Sequence, residues 1–160
     1  MVAHACLQGA GNVTISAAAY LKKAAEEVLP KPLDKYPKYA TPADRNLQKN
    51  YDAAVLNRQS SREEHADLCV SYPSKVGKLV YAMPACRADC AHCIGMLTRC
   101  LTFPTPEMDA AADRCLIYMA QTADQGITWS DAVIRPELHA YVDSDWQVDC
   151  STSGLSLIHI

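Results

Sequence analysis

KVGKLVYAMPACRADCAHCIGMLTRCLTFPTP, residues 75–106, is the longest stretch of the chain with one continuous pattern. Apolar or small residues recur at helical spacing through Val76, Leu79, Val80, Met83, Cys86, Cys90, Cys93, Leu97 and Cys100, and two prolines close it off. With Tyr72 upstream, Tyr72, Val76, Leu79, Val80 and Met83 define one buried face of a helix that opens after Glu63 and ends near Pro84. A second helix is expected over about 87–102. Thr105-Pro106-Glu107 then opens a third, because Thr caps, Pro suits the first helical position and Glu favours the dipole. Its inner stripe reads Met108, Ala111, Ala112, Cys115, Leu116 and Met119.

Upstream, Val13-Thr14-Ile15 reads as a short strand leading into Ser16, a candidate N-cap. Ala17, Tyr20, Leu21, Ala24, Val28 and Leu29 follow helical spacing until Pro30 and Pro32 stop them. Residues 31–62 are polar and proline-rich and read as a long connection, whereas residues 1–12 resemble nothing that places them. Downstream, residues 125–129 read as a strand and Leu138 to Val142 as another. Helices followed by strands fit an α+β class, with three to four helices and a few strands, and not a repeating βαβ unit. No internal repeat is present.

The totals bound the function. With 160 residues there is room for one ordinary domain, or one small domain plus pieces of another. A net charge of -3 and scattered lysines (Lys22, Lys23, Lys31, Lys35, Lys38, Lys75, Lys78) give no basic stripe of the kind a free-standing nucleic-acid binder carries. There is no basic n-region followed by an apolar h-region and no run of about 18 apolar residues. The expectation is an intracellular protein, cytoplasmic or nuclear, without a membrane partner. Eight cysteines are then expected as reduced thiols used as small hydrophobes.

Cys86, Cys90 and Cys93, with His92 between the last two, raise the alternative of a zinc-binding structural domain that chelation would unfold. On one continuous helix Cys86 and Cys93 stand about 10 Å apart along the axis, and Cys100 lies about another 10 Å on. A shared zinc needs Zn–S bonds of roughly 2.3 Å, so core packing is the expected role of these cysteines.

V-G-x-L-x-Y-A-M at 76–83, R-x-D at 87–89 and G-M-L-x-R-x-L-x-x-P-T-P-E at 95–107 resemble the polymerase polyprotein of copia-type LTR retrotransposons, in the segment after the reverse-transcriptase palm. The resemblance runs over 13–154 and is densest at 72–121 and 140–154. It implies a thumb-like helical region and connection at 13–121 and the opening of an RNase H-like domain at 122–154, flanked by an unplaced segment 1–12 and a non-matching tail 155–160. Ala88, the cysteines and both ends depart from the family pattern.

Tyr141-Val142-Asp143-Ser144-Asp145-Trp146 is the most chemically charged stretch. It is not the Y-x-D-D turn of a polymerase, since Ser144 displaces the second Asp. With Ser151 to Gly154 it resembles the start of the copia RNase H domain, which implies Asp143 as the first metal-binding carboxylate; Asp145 takes no ligand role. Two-metal phosphodiester hydrolysis needs several carboxylates around Mg2+ ions about 3.5–4 Å apart, and one carboxylate does not assemble that site. Ser130, Asp131 and His139 form a hydrolase triad only on paper, with no G-x-S-x-G elbow. No phosphate-binding glycine loop is present.

The reading is a fragment of a retrotransposon reverse transcriptase/RNase H polyprotein. The parent's activities are RNA-directed DNA synthesis and RNA–DNA hybrid cleavage, and its partners are primer–template, hybrid and the rest of the polyprotein. The fragment alone is expected to hold no cofactor and to catalyse nothing. The alternative from another class is a small helical interaction module that buries its Cys/Met stripe against a partner.

Overall fold

The structure, a computed structural model, describes residues 4–8 and 12–130, and among these it has six α-helices and a small antiparallel sheet. In chain order the elements are β1 (His4–Gln8), β2 (Asn12–Ser16), α1 (Ala18–Val28), α2 (Leu47–Leu56), α3 (Arg58–Glu64), α4 (Ala66–Cys86), α5 (Ala91–Arg99), α6 (Pro106–Gln121) and β3 (Ile127–Ser130). Short 3-10 turns lie at Leu33–Lys35 and Ala88–Cys90. The class is α+β, as expected. Among the described residues, no helix is long and apolar enough to cross a membrane.

The core forms around α6, which touches α1, α2, α4 and α5. Its start follows from its sequence: Thr105 Oγ1 accepts from the Met108 amide at 3.3 Å, with Pro106 in the first turn. Met108, Ala112, Cys115, Leu116 and Met119 are buried, and Ala111 is half-buried. Ala24 and Ala25 on α1 are almost fully buried, and small residues there let two helix backbones approach closely. Tyr72 donates its hydroxyl to the Leu97 carbonyl at 2.9 Å, which satisfies the one polar atom on a fully buried ring.

The sheet has the order β1-β2-β3, both pairings antiparallel. Ile15 lies opposite Ile127, and Thr14 faces Thr128 with their hydroxyl oxygens 2.7 Å apart. At Gly126 a β-carbon would collide with the Ile15 carbonyl, so only glycine lets the turn after α6 reach β2.

Several expectations are corrected. Ser16 caps nothing: it is the last residue of β2, paired with His4, and Ala17 stands at the N-cap of α1 without a side-chain bond. Residues 31–62 are not one long connection, because α2 and most of α3 lie within them. Leu47, Tyr51 and Ala54 are buried at helical spacing, and three apolar residues suffice where α5 and α6 supply the other wall. Val80 is 36 % exposed and Met83 half-buried, while Ala82 and Cys86 complete the inner face of α4. That helix also runs through Pro73 and two residues past Pro84, although each ring removes an amide from the ladder. Beyond it the chain breaks: residues 88–90 form a 3-10 turn and α5 covers only 91–99. Residues 4–8, unplaced by sequence, form a strand, so strands flank the helices at both ends of the described chain.

Candidate functional site

Arg87 sits at the corner between α4 and α5, and it is fully buried. Its Nε and Nη2 donate to the two carboxylate oxygens of Asp89 at 3.0 and 2.9 Å. Nη1 donates to the Met119 and Thr122 carbonyls at 2.9 and 3.3 Å, and Nη2 also reaches the Thr122 hydroxyl at 2.9 Å. The last carbonyls of a helix lack internal donors, so this fork closes the C-terminal end of α6 from outside. Tyr118 completes the group: its ring lies 5.2 Å from the guanidinium, and its hydroxyl donates to Asp89 at 3.2 Å. The R-x-D segment is thus a clasp that joins the α4–α5 corner to the end of α6.

The clasp has an electrostatic signature. Hydrogen bonding from Arg87 holds the Asp89 carboxyl below its usual value of 3.8. A carboxylate with a depressed folded pKa contributes stability above its unfolded value and loses it as pH falls through the folded one. In Asp89→Asn, stability is therefore expected to depend less on pH below about 3.8 than in the unaltered chain, measured by urea unfolding across that range. Parallel acid limbs in the two proteins would refute this.

Residues 36–46 are strapped across α6. The Arg114 guanidinium lies 4.2 Å from the Tyr39 ring, reaches Thr41 and pairs with Asp44 at 3.7 Å. Gln121 accepts from the Tyr39 amide and donates to the Pro37 carbonyl. Lys75 lies between Asp109 and Asp113, at 2.7 and 2.6 Å, and burial pushes the Asp113 carboxyl up.

One groove of about 590 Å3 opens between α2, α3 and the start of α6. Asn50, Asn57, Glu64, His65 and Glu107 are among its lining residues, and neither Lys nor Arg is. Its two carboxylates oppose a phosphate, so it is not shaped for a nucleic-acid backbone. The lysines that approach α1 and α4 are also compensated: Lys22 meets Asp124, while Lys23 and Lys78 meet Glu27.

Asp143, Asp145 and the whole 141–146 stretch lie outside the described residues, as do Asp131, His139, Ser151 to Gly154 and the expected strand at Leu138 to Val142. Ser130 is the last residue of β3. The cysteines are placed: Cys86, Cys90, Cys93, Cys100 and Cys115 are buried free thiols, and Cys69 is partly exposed. Burial pushes the Cys100 thiol up to about 12. Cys86 ends α4 while Cys93 belongs to α5, so the separation along one continuous helix does not describe this pair. Among the described residues, no group of three or more His, Cys, Asp or Glu converges so as to hold a metal ion.

Comparison with known proteins finds similarity over about half of the chain. Over 80 residues, 50 % of the chain, it is 35 % identical to the "Retrovirus-related Pol polyprotein from transposon TNT 1-94" of Nicotiana tabacum, covering 6 % of that protein. The chain is similar in part to a retrotransposon Pol polyprotein. Over 89 residues, 53 % of the chain, it is 35 % identical to "Secreted RxLR effector protein 161" of Plasmopara viticola, covering 62 % of that protein. The chain thus spans less than two thirds of the length of either relative. No protein-family model matches it, and no solved structure does.

Arg87 is the residue that sequence reasoning missed as a structural centre. Arginine is seldom fully buried, and only its place inside an apolar pattern, two residues before an acid, could have marked it.

Proposed function

We propose that the chain is a piece of a copia-type Pol polyprotein: the thumb-like helical segment and connection behind the polymerase palm, running into the first strands of RNase H. The similarity to a Pol polyprotein over half the chain carries this reading. In the parent, the segment holds primer–template and RNA–DNA hybrid beside the catalytic domains. Magnesium chemistry falls to Asp143 together with carboxylates that other parts of the parent supply. Because the α1 and α4 lysines are compensated, the piece alone grips phosphates weakly and only at low salt.

The test is anisotropy of a labelled RNA–DNA hybrid titrated with the full chain at low and high salt, together with a nicking assay in Mg2+. Expected is weak binding that salt abolishes, and no nicking in either the unaltered chain or Asp143→Asn. Nicking that disappears in Asp143→Asn would overturn the assignment of an inactive piece. Absence of binding at every salt concentration would favour the second reading, a helical interaction module. One observation favours that module: the similarity to a protein named as an effector spans 62 % of that protein, so similar sequence makes up the larger part of a protein not named as a Pol polyprotein.

A further inference from the structure

The connection from α1 to α2 and the first turn of α2 carry five cations, Lys31, Lys35, Lys38, Arg45 and Lys49, against two acids, Asp34 and Asp44. The whole chain has a net charge of -3, so this stretch runs against its balance. All five cations are exposed. Among the described residues, Lys31, Lys38, Arg45 and Lys49 pair with no acid, and Lys35 meets only its neighbour Asp34, at 3.7 Å in open water. Asp44 is turned instead onto Arg114 of α6. Lys49 lies in the first turn of α2, where no acid stands, although the positive end of a helix disfavours a cation. Neither packing nor ion pairing accounts for these charges.

We propose that this connection is a cationic ribbon that grips the sugar–phosphate backbone of a nucleic-acid duplex without reading its bases. The inference rests on the Pol reading and names the surface that takes the hybrid. The strap follows α6: Gln121 holds the Pro37 carbonyl and the Tyr39 amide, and Arg114 holds Thr41 and Asp44. Gln121 and Arg114 are two turns of α6 apart, which lays the strap out over about 10 Å. Lys35 and Lys38 lie toward one end of it, Arg45 and Lys49 toward the other. A duplex strand presents one charge per about 3.4 Å of axis, so cations set out along a line each meet a phosphate. The aromatic rings of the strap are already in use: Tyr39 lies under the Arg114 guanidinium, and Tyr36 is half-buried against the core. No free ring is left on which an unpaired base stacks, so the surface suits duplex and not single strand. A membrane surface fits less well, since the large exposed apolar side chains are Leu56, Val70, Val80 and Tyr81, none of them on the strap.

The grip is electrostatic, and its salt dependence follows from the number of charges. On a duplex each phosphate contact adds about 0.9 to the fall of log K with log salt, so five contacts give a slope of about 4.5. Affinity then drops about 500-fold between roughly 50 and 200 mM salt. Lys78 adds little to this slope, because Glu27 already holds it at 2.6 Å.

The full chain is titrated against a labelled RNA–DNA hybrid over a range of salt, beside a variant combining Lys35→Gln, Lys38→Gln, Arg45→Gln and Lys49→Gln. Expected is a slope smaller by about 3 to 4 in that variant, and an unchanged slope in Lys78→Gln. A single strand of the same length is expected to bind more weakly than the hybrid. Lysine acetylation of the unaltered chain, mapped by mass spectrometry, gives a readout that no variant's folding disturbs. The hybrid is expected to shield Lys31, Lys35, Lys38 and Lys49 and to leave Lys22 and Lys23 reactive. An unmoved slope in the fourfold variant, strap lysines that stay reactive in the complex, or tighter binding of the single strand overturns the proposal and leaves the Pol reading standing. No binding of hybrid at any salt, with or without capture by phosphatidylserine vesicles, overturns both.

Discussion

Replacing Arg87 with alanine is expected to cost the fold about 3 kcal/mol, a large share of the roughly 5–15 kcal/mol that holds an ordinary domain together. The change strips donors from the carbonyls of Met119 and Thr122 and leaves the Asp89 carboxylate without its fork. Breaking a buried pair by removing one partner costs about 3–5 kcal/mol; the lower end applies because the Asp89 side chain is 42 % exposed and takes up water. Arg87→Lys is not expected to restore the loss, since one ammonium cannot bridge a carboxylate and a helix end at once. Urea unfolding followed by circular dichroism measures both. A midpoint unmoved in Arg87→Ala would mean that α6 keeps its end closed without the clasp.

Leu116→Ala is expected to cost a further, independent amount of about 2–5 kcal/mol, from lost burial and from the cavity left among packed neighbours. Leu116 is completely buried on the inner face of α6, the helix that four others touch. Leu56, which is 84 % exposed at the end of α2, provides the contrast, and Leu56→Ala is expected to shift stability by no more than about 0.5 kcal/mol. If the same unfolding measurement gave equal losses for the two leucines, α6 would not be the centre of the core.

Where local chemistry decided the structure, the chain could be read without it. The start of α6 is specified within three residues, and its apolar stripe is dense enough to bury; α1 is bounded by prolines in the same way. β2 and β3 were legible as apolar runs beside turn residues, although nothing local says that they pair. The failures share one cause, a neighbour distant in sequence. Leu47, Tyr51 and Ala54 look isolated among polar residues until α5 and α6 supply a surface for them. Ser16 would cap a helix if β1 did not claim its backbone. The clasp is hidden for the same reason: Arg87 and Asp89 are only two residues apart in sequence, but the carbonyls that justify burying a guanidinium belong to the end of another helix.

The sheet also has a bearing on the order in which the chain assembles. Thr14 and Thr128, bonded across β2 and β3, are 114 residues apart, whereas the helices and their corners close over much shorter spans. The entropy of bringing two chain ends together grows with the length between them, and a contact of high sequence separation is rewarded only after that cost is met. The α4–α6 helices therefore have the shorter route to their packed state, and β2–β3 pairing follows once they have shortened the loop. Until β3 arrives, β2 presents an unpaired edge, the kind of surface on which newly made chains join one another instead of closing on themselves.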